Sequence, residues 1–182
     1  LTALRKLAAT PLDAATAPPK AIYTLPEMTA HEMDRIFATE WLCAGRADEV
    51  PNPGDYMAFE CSDQPLIIIR GMDGSISARS NICRHRMMRL VEGCGNARKF
   101  TCPYHAWTYG LDGRLAALPH GHGFPDLEAA RCSLTALPVT ERAGIVFVTP
   151  STDPAVDADA WLDPILADLE NWNLQGHTAY AP

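Results

Sequence analysis

Two short segments gather the metal-seeking side chains of this chain: Cys83–Arg84–His85 and Cys102–Pro103–Tyr104–His105. Each supplies one thiolate and one imidazole, with sixteen residues between His85 and Cys102. With the two loop tips side by side, both cysteines can bind one iron of a [2Fe–2S] cluster and both histidines the other. Exchanging two thiolates for neutral imidazoles leaves such a cluster less negative. An added electron is then repelled less, and the reduction potential rises above that of an all-cysteine cluster. The chemistry implied is one-electron relay. Zinc accepts the same four ligands, but its usual spacing places two cysteines in one box and two histidines in the other. Here the types alternate, which speaks for the iron cluster.

Residues beside the boxes have an ordinary reading and a chemical one. Trp107 reads as packing, and an indole near the cluster excludes water and lowers the local dielectric. Tyr109 reads either as core or as a hydroxyl donating to a ligand sulfur. Arg84 and Arg86 read as solvated charges, or as groups that orient the loop or meet an acidic electron donor. His120–Gly121–His122 resembles a metal pair, but Pro119 and the glycines around it indicate a flexible loop. Cys94, between Gly93 and Gly95, reads as a turn residue with no role.

The elements expected to carry the boxes are short strands. Residues 1–40 read as an Ala-, Thr- and Pro-rich extended arm to about residue 25, followed by a short helix. Thr29 and Glu32 have capping-box spacing, and Met33, Ile36 and Phe37 fall on one face. Over 41–150, Leu66–Ile67–Ile68–Ile69 and Ile76–Ser77–Ala78–Arg79 flank Asp73–Gly74, a strong hairpin signal. The device recurs at Asp112–Gly113, directly after the second box, and Gly144–Thr149 reads as a buried strand. The expected fold is mostly β: an antiparallel sandwich or small barrel with cluster-binding hairpin loops and short helices at both ends. Over 151–182, Leu162, Ile165, Leu166 and Leu169 repeat at helical spacing, with Pro164 placed in the first turn.

Composition narrows the function classes. Hydrophobic residues make up 47% and charged residues 20%, as in ordinary globular domains. A net charge of −7 argues against nucleic acid or an anionic membrane as partner. No run approaches the roughly 18 apolar residues of a membrane span, and no signal-peptide core is seen near the N-terminus. Cys43, Cys61, Cys94 and Cys132 show no paired spacing, so free thiols and a cytoplasmic location are expected.

Asn81–Ile82–Cys83–Arg84–His85–Arg86 and Phe100–Thr101–Cys102–Pro103–Tyr104–His105–Ala106–Trp107–Thr108–Tyr109 together resemble the Rieske domain of ring-hydroxylating oxygenase α subunits. The likeness runs from about Tyr23 to Thr149, through Gly54–Asp55–Tyr56 and Leu111–Asp112–Gly113–Arg114–Leu115. One departure is Met87, where that family commonly has glycine. The resemblance implies a Rieske [2Fe–2S] cluster on Cys83, His85, Cys102 and His105 that feeds a mononuclear non-heme iron, in an enzyme that is a mono- or dioxygenase. That iron is expected in a catalytic domain following this chain, so residues 1–182 should relay electrons without hydroxylating a substrate, and no catalytic residue is assigned among them. The helix of 151–182 would lead toward that domain. Without it, the helix should fold back on the sandwich or bury its stripe against another copy. The implied partners are a reductase or ferredoxin donor and the catalytic domain of a neighbouring α subunit, in a homo-oligomer when the chain is full length. The rival readings are a free-standing Rieske ferredoxin, a respiratory-complex Rieske protein and a zinc-stapled domain. Respiratory members add a cysteine to each box, and Met88 and Tyr104 stand at those places here.

Overall fold

A computed structural model describes residues 2–61 and 63–177; residues 178–182, the end of the expected helical segment, lie outside them. Three short helices open the chain: α1 (Thr2–Ala8), α2 (Ala21–Thr24) and α3 (Pro26–Glu32). Strands follow as β1 (Leu42–Arg46), β2 (Asp55–Cys61), β3 (Gln64–Arg70), β4 (Ile76–Ser80), β5 (Cys94–Asn96) and β6 (Lys99–Thr101). The series continues with β7 (Thr108–Gly110), β8 (Leu115–Ala117), β9 (Ala136–Leu137), β10 (Val139–Arg142) and β11 (Ile145–Val148), and α4 (Ala158–Asn171) closes it. The strands form three sheets, β5-β2-β3-β4-β9, β1-β11-β10 and β6-β7-β8. Every pairing is antiparallel, as the strand pattern predicts.

Strand β3 is the pivot. Alternate side chains of a strand point to opposite faces, and here both faces are covered. Leu66 and Ile68 pack with Val50, Met57, Val146 and Val148. Ile67 and Ile69 pack with Phe100, Trp107 and Tyr109, among which Cys83 and Cys102 are buried. All four β3 residues are essentially inaccessible. A strand buried on both sides must be continuously apolar rather than alternating, which explains the run Leu66–Ile69.

Both Asp–Gly signals mark hairpins, built as five-residue loops of one design. Gly74 donates to the Gly71 carbonyl at 3.0 Å, Gly71 to that of Ser75 at 2.7 Å, and the Asp73 carboxylate accepts from Ser75 N at 3.0 Å. Gly113, Gly110, Arg114 and Asp112 repeat these bonds at 3.0, 2.9 and 3.1 Å. Only the glycine of each pair is left-handed, with φ of +82° at Gly74 and +78° at Gly113. The second loop sets β7 against β8 and so fixes the far side of the second metal box.

The terminal regions depart from expectation. The first 25 residues are not an extended arm: α1 reads TALRKLA, whose Ala, Leu, Arg and Lys lose little rotamer freedom in a helix. Thr29 caps nothing. The helix begins at Pro26, which presets helical φ and holds Leu25 extended before it, so Thr29 lies inside. A π-helical turn, Met33–Phe37, follows; Ile36 and Phe37 remain largely exposed. Pro164 sits in the interior of α4, not its first turn. The helix starts earlier, at Ala158, because the Asp157 carboxylate caps it by accepting from Ala160 N at 3.0 Å. Cys94 lies in strand β5, opposite Met57, because its flanking glycines suit an edge strand as well as a turn. Among the described residues no helix is long and apolar enough to cross a membrane.

Two residues of the C-terminal helix stripe fold back on the sandwich. Leu162 and Leu169 pack on Trp41 and Phe147, and the Trp41 indole donates to the Val156 carbonyl at 2.8 Å. Ile165, in contrast, is 45% exposed while Leu162 is fully buried. Leu162→Ala should therefore lower unfolding stability by about 2–5 kcal/mol, transfer and cavity terms together. Ile165→Ala should change it by less than about 1 kcal/mol. Denaturant titration of both variants checks the difference, and equal losses would contradict this packing.

Candidate metal centre

The first box leaves the end of β4 through a neck closed by Asn81. This side chain is wholly buried; its Oδ1 accepts from Leu90 N at 3.2 Å and Val91 N at 3.1 Å, and its Nδ2 donates to the Val91 carbonyl at 2.8 Å. Ile82 pairs with Arg89 above it. The second box is the turn between β6 and β7, closed by a 3.1 Å contact between the Thr101 and Thr108 hydroxyls. In the sequence Asn81 stands out only as part of a motif. A buried amide with three backbone bonds is legible only once its partners are in place.

The two loops share one backbone design. Cys83 N donates to the Met88 carbonyl and Cys102 N to that of Trp107, both at 2.8 Å. Met87 N donates back to the Cys83 carbonyl at 3.1 Å, and Ala106 N to that of Cys102 at 3.0 Å. Closing the ring this tightly requires a left-handed residue at the fifth position, and Met87 and Ala106 have φ of +58° and +57°. The departure at Met87 is thereby explained: glycine reaches this conformation freely, whereas methionine pays a steric cost for it. The histidine is third in the first loop and fourth in the second.

Cys83 and Cys102 are buried, at 1% and 3% exposure. Tyr109, fully buried on β7, brings its hydroxyl oxygen to 3.3 Å from Cys83 Sγ. That oxygen also accepts from Arg84 N at 3.0 Å, which leaves its own proton for the sulfur. Burial, and then the bond to Cys83, push the phenol well above its usual pKa, so it remains a donor. The chemical reading of Tyr109 thus stands beside the packing one.

The imidazoles meet edge to face, His85 and His105 lying 4.7 Å apart at 71°. Trp107 stacks on His85 at 4.9 Å and 6°, and Tyr104 lies over His105 at 3.8 Å. Burial first, then the nearby His105 and Arg86 charges, lower the His85 pKa and favour its neutral form, the form that binds metal. Nδ1 of both rings is buried without a hydrogen-bond partner. An orphaned buried nitrogen is costly unless something satisfies it. Two buried thiols and two buried, unpartnered ring nitrogens are the donor set that a two-cysteine, two-histidine iron–sulfur cluster requires, so the residues fit that group.

Other candidates stay apart from this set. His120 and His122 occupy an exposed turn, their rings 6.0 Å from one another. Among the described residues no three His, Cys, Asp or Glu side chains are grouped to hold a single ion. Arg84 and Arg86 are exposed, as are Met87, Met88 and Tyr104, so the histidine end of the molecule presents an apolar rim edged with positive charge. All six cysteines are free thiols.

Known proteins resemble this chain. The family described as the Rieske [2Fe-2S] domain matches residues 40–132. The oxygenase subunit of glycine betaine monooxygenase from Chromohalobacter salexigens is 39% identical over 160 residues, covering 86% of this chain and 36% of that protein. The chain therefore spans little more than a third of that relative. A solved quaternary ammonium Rieske monooxygenase, described in terms of carnitine oxidation and inter-subunit electron transfer, is 34% identical with a TM-score of 0.76. That likeness covers 86% of this chain and 42% of the other. Naphthalene 1,2-dioxygenase from Rhodococcus sp. bound to indole superposes with a TM-score of 0.84 at 28% identity, over 93% of this chain and 39% of the other.

The left-handed fifth position yields a direct test. Met87 is 71% exposed, so its side chain gives up little packing when removed. Met87→Gly should raise stability by about 0.5–1 kcal/mol, the relieved left-handed cost less the entropy of an added glycine. Met87→Val, branched at Cβ, should lower it. Unfolding midpoints in denaturant measure both, and a destabilised glycine variant would refute the account of the loop.

Proposed function

Because this chain belongs to the Rieske [2Fe–2S] domain family, we propose that Cys83, His85, Cys102 and His105 hold its cluster and that residues 1–182 form the electron-relay portion of a Rieske non-heme iron oxygenase α subunit. One observation carries the ligand assignment: two buried thiols and two buried, unpartnered Nδ1 atoms come from loops of matching backbone design. When bound, the cluster accepts and releases one electron at a time at a potential above that of all-cysteine clusters.

The surrounding residues have separate tasks in this reading. Asn81 and the Thr101–Thr108 contact hold the loop necks. Trp107 covers one face of His85 and keeps water from it. Tyr109 offers a proton to the Cys83 sulfur, an interaction that strengthens as negative charge builds there and so favours the reduced state. The domain division belongs to the same proposal: an N-terminal region of short helices over 1–40, the cluster domain over 41–150 and a helical connection from 151. The oxygen-activating iron belongs to a catalytic domain outside this chain, reached across a subunit boundary in a homo-oligomer. Electrons arrive from a reductase or ferredoxin, and the free thiols support a reducing, cytoplasmic setting. Likeness to both monooxygenases and dioxygenases accords with a relay part that does not choose the substrate.

Metal analysis tests the assignment. The purified chain should be brown, contain two irons and two labile sulfides, and give a Rieske paramagnetic signal on reduction. Stoichiometric zinc with a colourless protein would sink the proposal. Cys83→Ala or Cys102→Ala should abolish the cluster.

Potentiometry tests the tuning. Respiratory Rieske proteins have a serine hydroxyl two residues after the last histidine, where Trp107 stands here. The midpoint should consequently fall in the lower part of the Rieske range of about −150 to +300 mV. Tyr109→Phe should retain both irons and move the midpoint lower still, since a donor to sulfur is lost. An unchanged or higher midpoint in that variant would remove Tyr109 from the tuning of the site.

A further inference from the structure

The loop between β8 and β9 contributes a ring to the metal centre that neither box motif signals. Phe124 stands edge-on to His85 at 6.2 Å and 89°, and edge-on to Trp107 at 6.0 Å and 87°. With the 4.9 Å stack of Trp107 on His85, the three rings close a triangle around the first imidazole. Nothing comparable from this loop reaches His105 among the described ring contacts; its cover is Tyr104, from its own loop.

Phe124 is held in place, although its outer side is 38% exposed. Its amide donates to the Gly121 carbonyl at 2.9 Å, and its own carbonyl accepts from Leu127 N at 3.2 Å. Leu118, Leu127 and Leu134 pack the loop against the cluster that contains Cys83, Cys102 and Trp107. Leu134 N also donates to the Gly113 carbonyl at 2.8 Å, tying the loop to the β7–β8 turn. The ring is thus part of a braced wall.

Resting on the assignment of His85 as a cluster ligand, we infer that Phe124 is a positioning residue for the metal centre: it clamps Trp107 flat against His85 and keeps water from that side of the cluster. Edge-to-face contacts have geometric preference, so the phenyl resists sliding of the indole off the imidazole. An apolar wall around a metal site controls solvent access and dielectric, and through them the potential. Reduction adds negative charge, and desolvation disfavours the more highly charged form. The wall therefore holds the potential down, and opening it should raise the potential.

The test uses the cluster-loaded chain and three variants, Phe124→Ala, Phe124→Leu and Phe124→Tyr. Iron and labile sulfide are counted in each, then midpoint and paramagnetic line shape are recorded. Phe124→Ala should shift the reduction equilibrium about three- to tenfold toward the reduced form, which is about 28–59 mV upward at 59 mV per tenfold for one electron. Phe124→Tyr, which keeps the ring, should return both readouts to wild type, and Phe124→Leu should fall between. Should Phe124→Ala lose its cluster, the Leu midpoint against the Tyr midpoint decides. An Ala or Leu variant with the wild-type midpoint overturns the role of Phe124, as does a Tyr variant shifted as far as Ala. A wild-type chain without two irons would instead overturn the ligand assignment beneath it.

Discussion

Each candidate cysteine closes its own loop through its backbone, and the rest of the site depends on that closure. The amide of Cys83 or Cys102 is bonded to a carbonyl five residues on, and the cysteine carbonyl accepts from the residue in between. This pair of hydrogen bonds fixes where the sulfur starts. It also fixes the price: a left-handed residue at Met87 and Ala106, at about 1–2 kcal/mol for a side chain with Cβ. With two such rings side by side, placing histidine third in one and fourth in the other still brings the imidazoles to 4.7 Å. The loops are alike in backbone and unlike in where the histidine stands.

A loop closed this tightly needs a stiff base, and the sheets provide it from one strand. Ile67 and Ile69 reach the core beneath the metal centre, while Leu66 and Ile68 anchor the opposite sheet. The cysteine sulfurs thus rest on a strand that cannot shift without disturbing both cores. Asn81 adds a polar lock where the first loop leaves β4: its side chain bonds the Val91 amide and carbonyl and shares the Leu90 amide with its own backbone carbonyl. Tyr109 belongs to both systems, packed among the same apolar residues and bonded to Cys83.

What was legible in the sequence follows from the range over which each signal acts. The ligand candidates were legible because Cys and His in alternating boxes have few structural uses. The hairpins at Asp73–Gly74 and Asp112–Gly113 were legible because the turn chemistry lies within five residues. Thr29 misled, since a capping box is a local pattern that Pro26 overrides by starting the helix earlier. The start of α4 was misplaced because Asp157, a good cap, precedes the apolar stripe by a full turn. Asn81 and Phe124 were beyond reach for a different reason. Their roles consist of partners brought together by the fold, at 10 residues' separation for Asn81 with Val91 and across two loops for Phe124 with His85.

The two imidazoles differ in their surroundings, and that difference bears on how an electron relay is built. His85 lies against Trp107 and Phe124 from two separate elements, whereas His105 is covered by Tyr104, which is itself 58% exposed. A relay must exclude water to hold its potential, yet bring a ligand edge near the surface for electrons to pass. Both demands cannot be met equally by one residue. Two rings beside His85 and a single, more exposed ring over His105 divide them unequally between the two loops, both imidazoles being partly buried. The buried thiols, with Tyr109 beneath Cys83, complete the dry side. The exposed rim draws on both loops, Arg84, Arg86, Met87 and Met88 coming from the first and Tyr104 from the second. The asymmetry rests on the third loop, whose Phe124 sits beside one histidine and not the other.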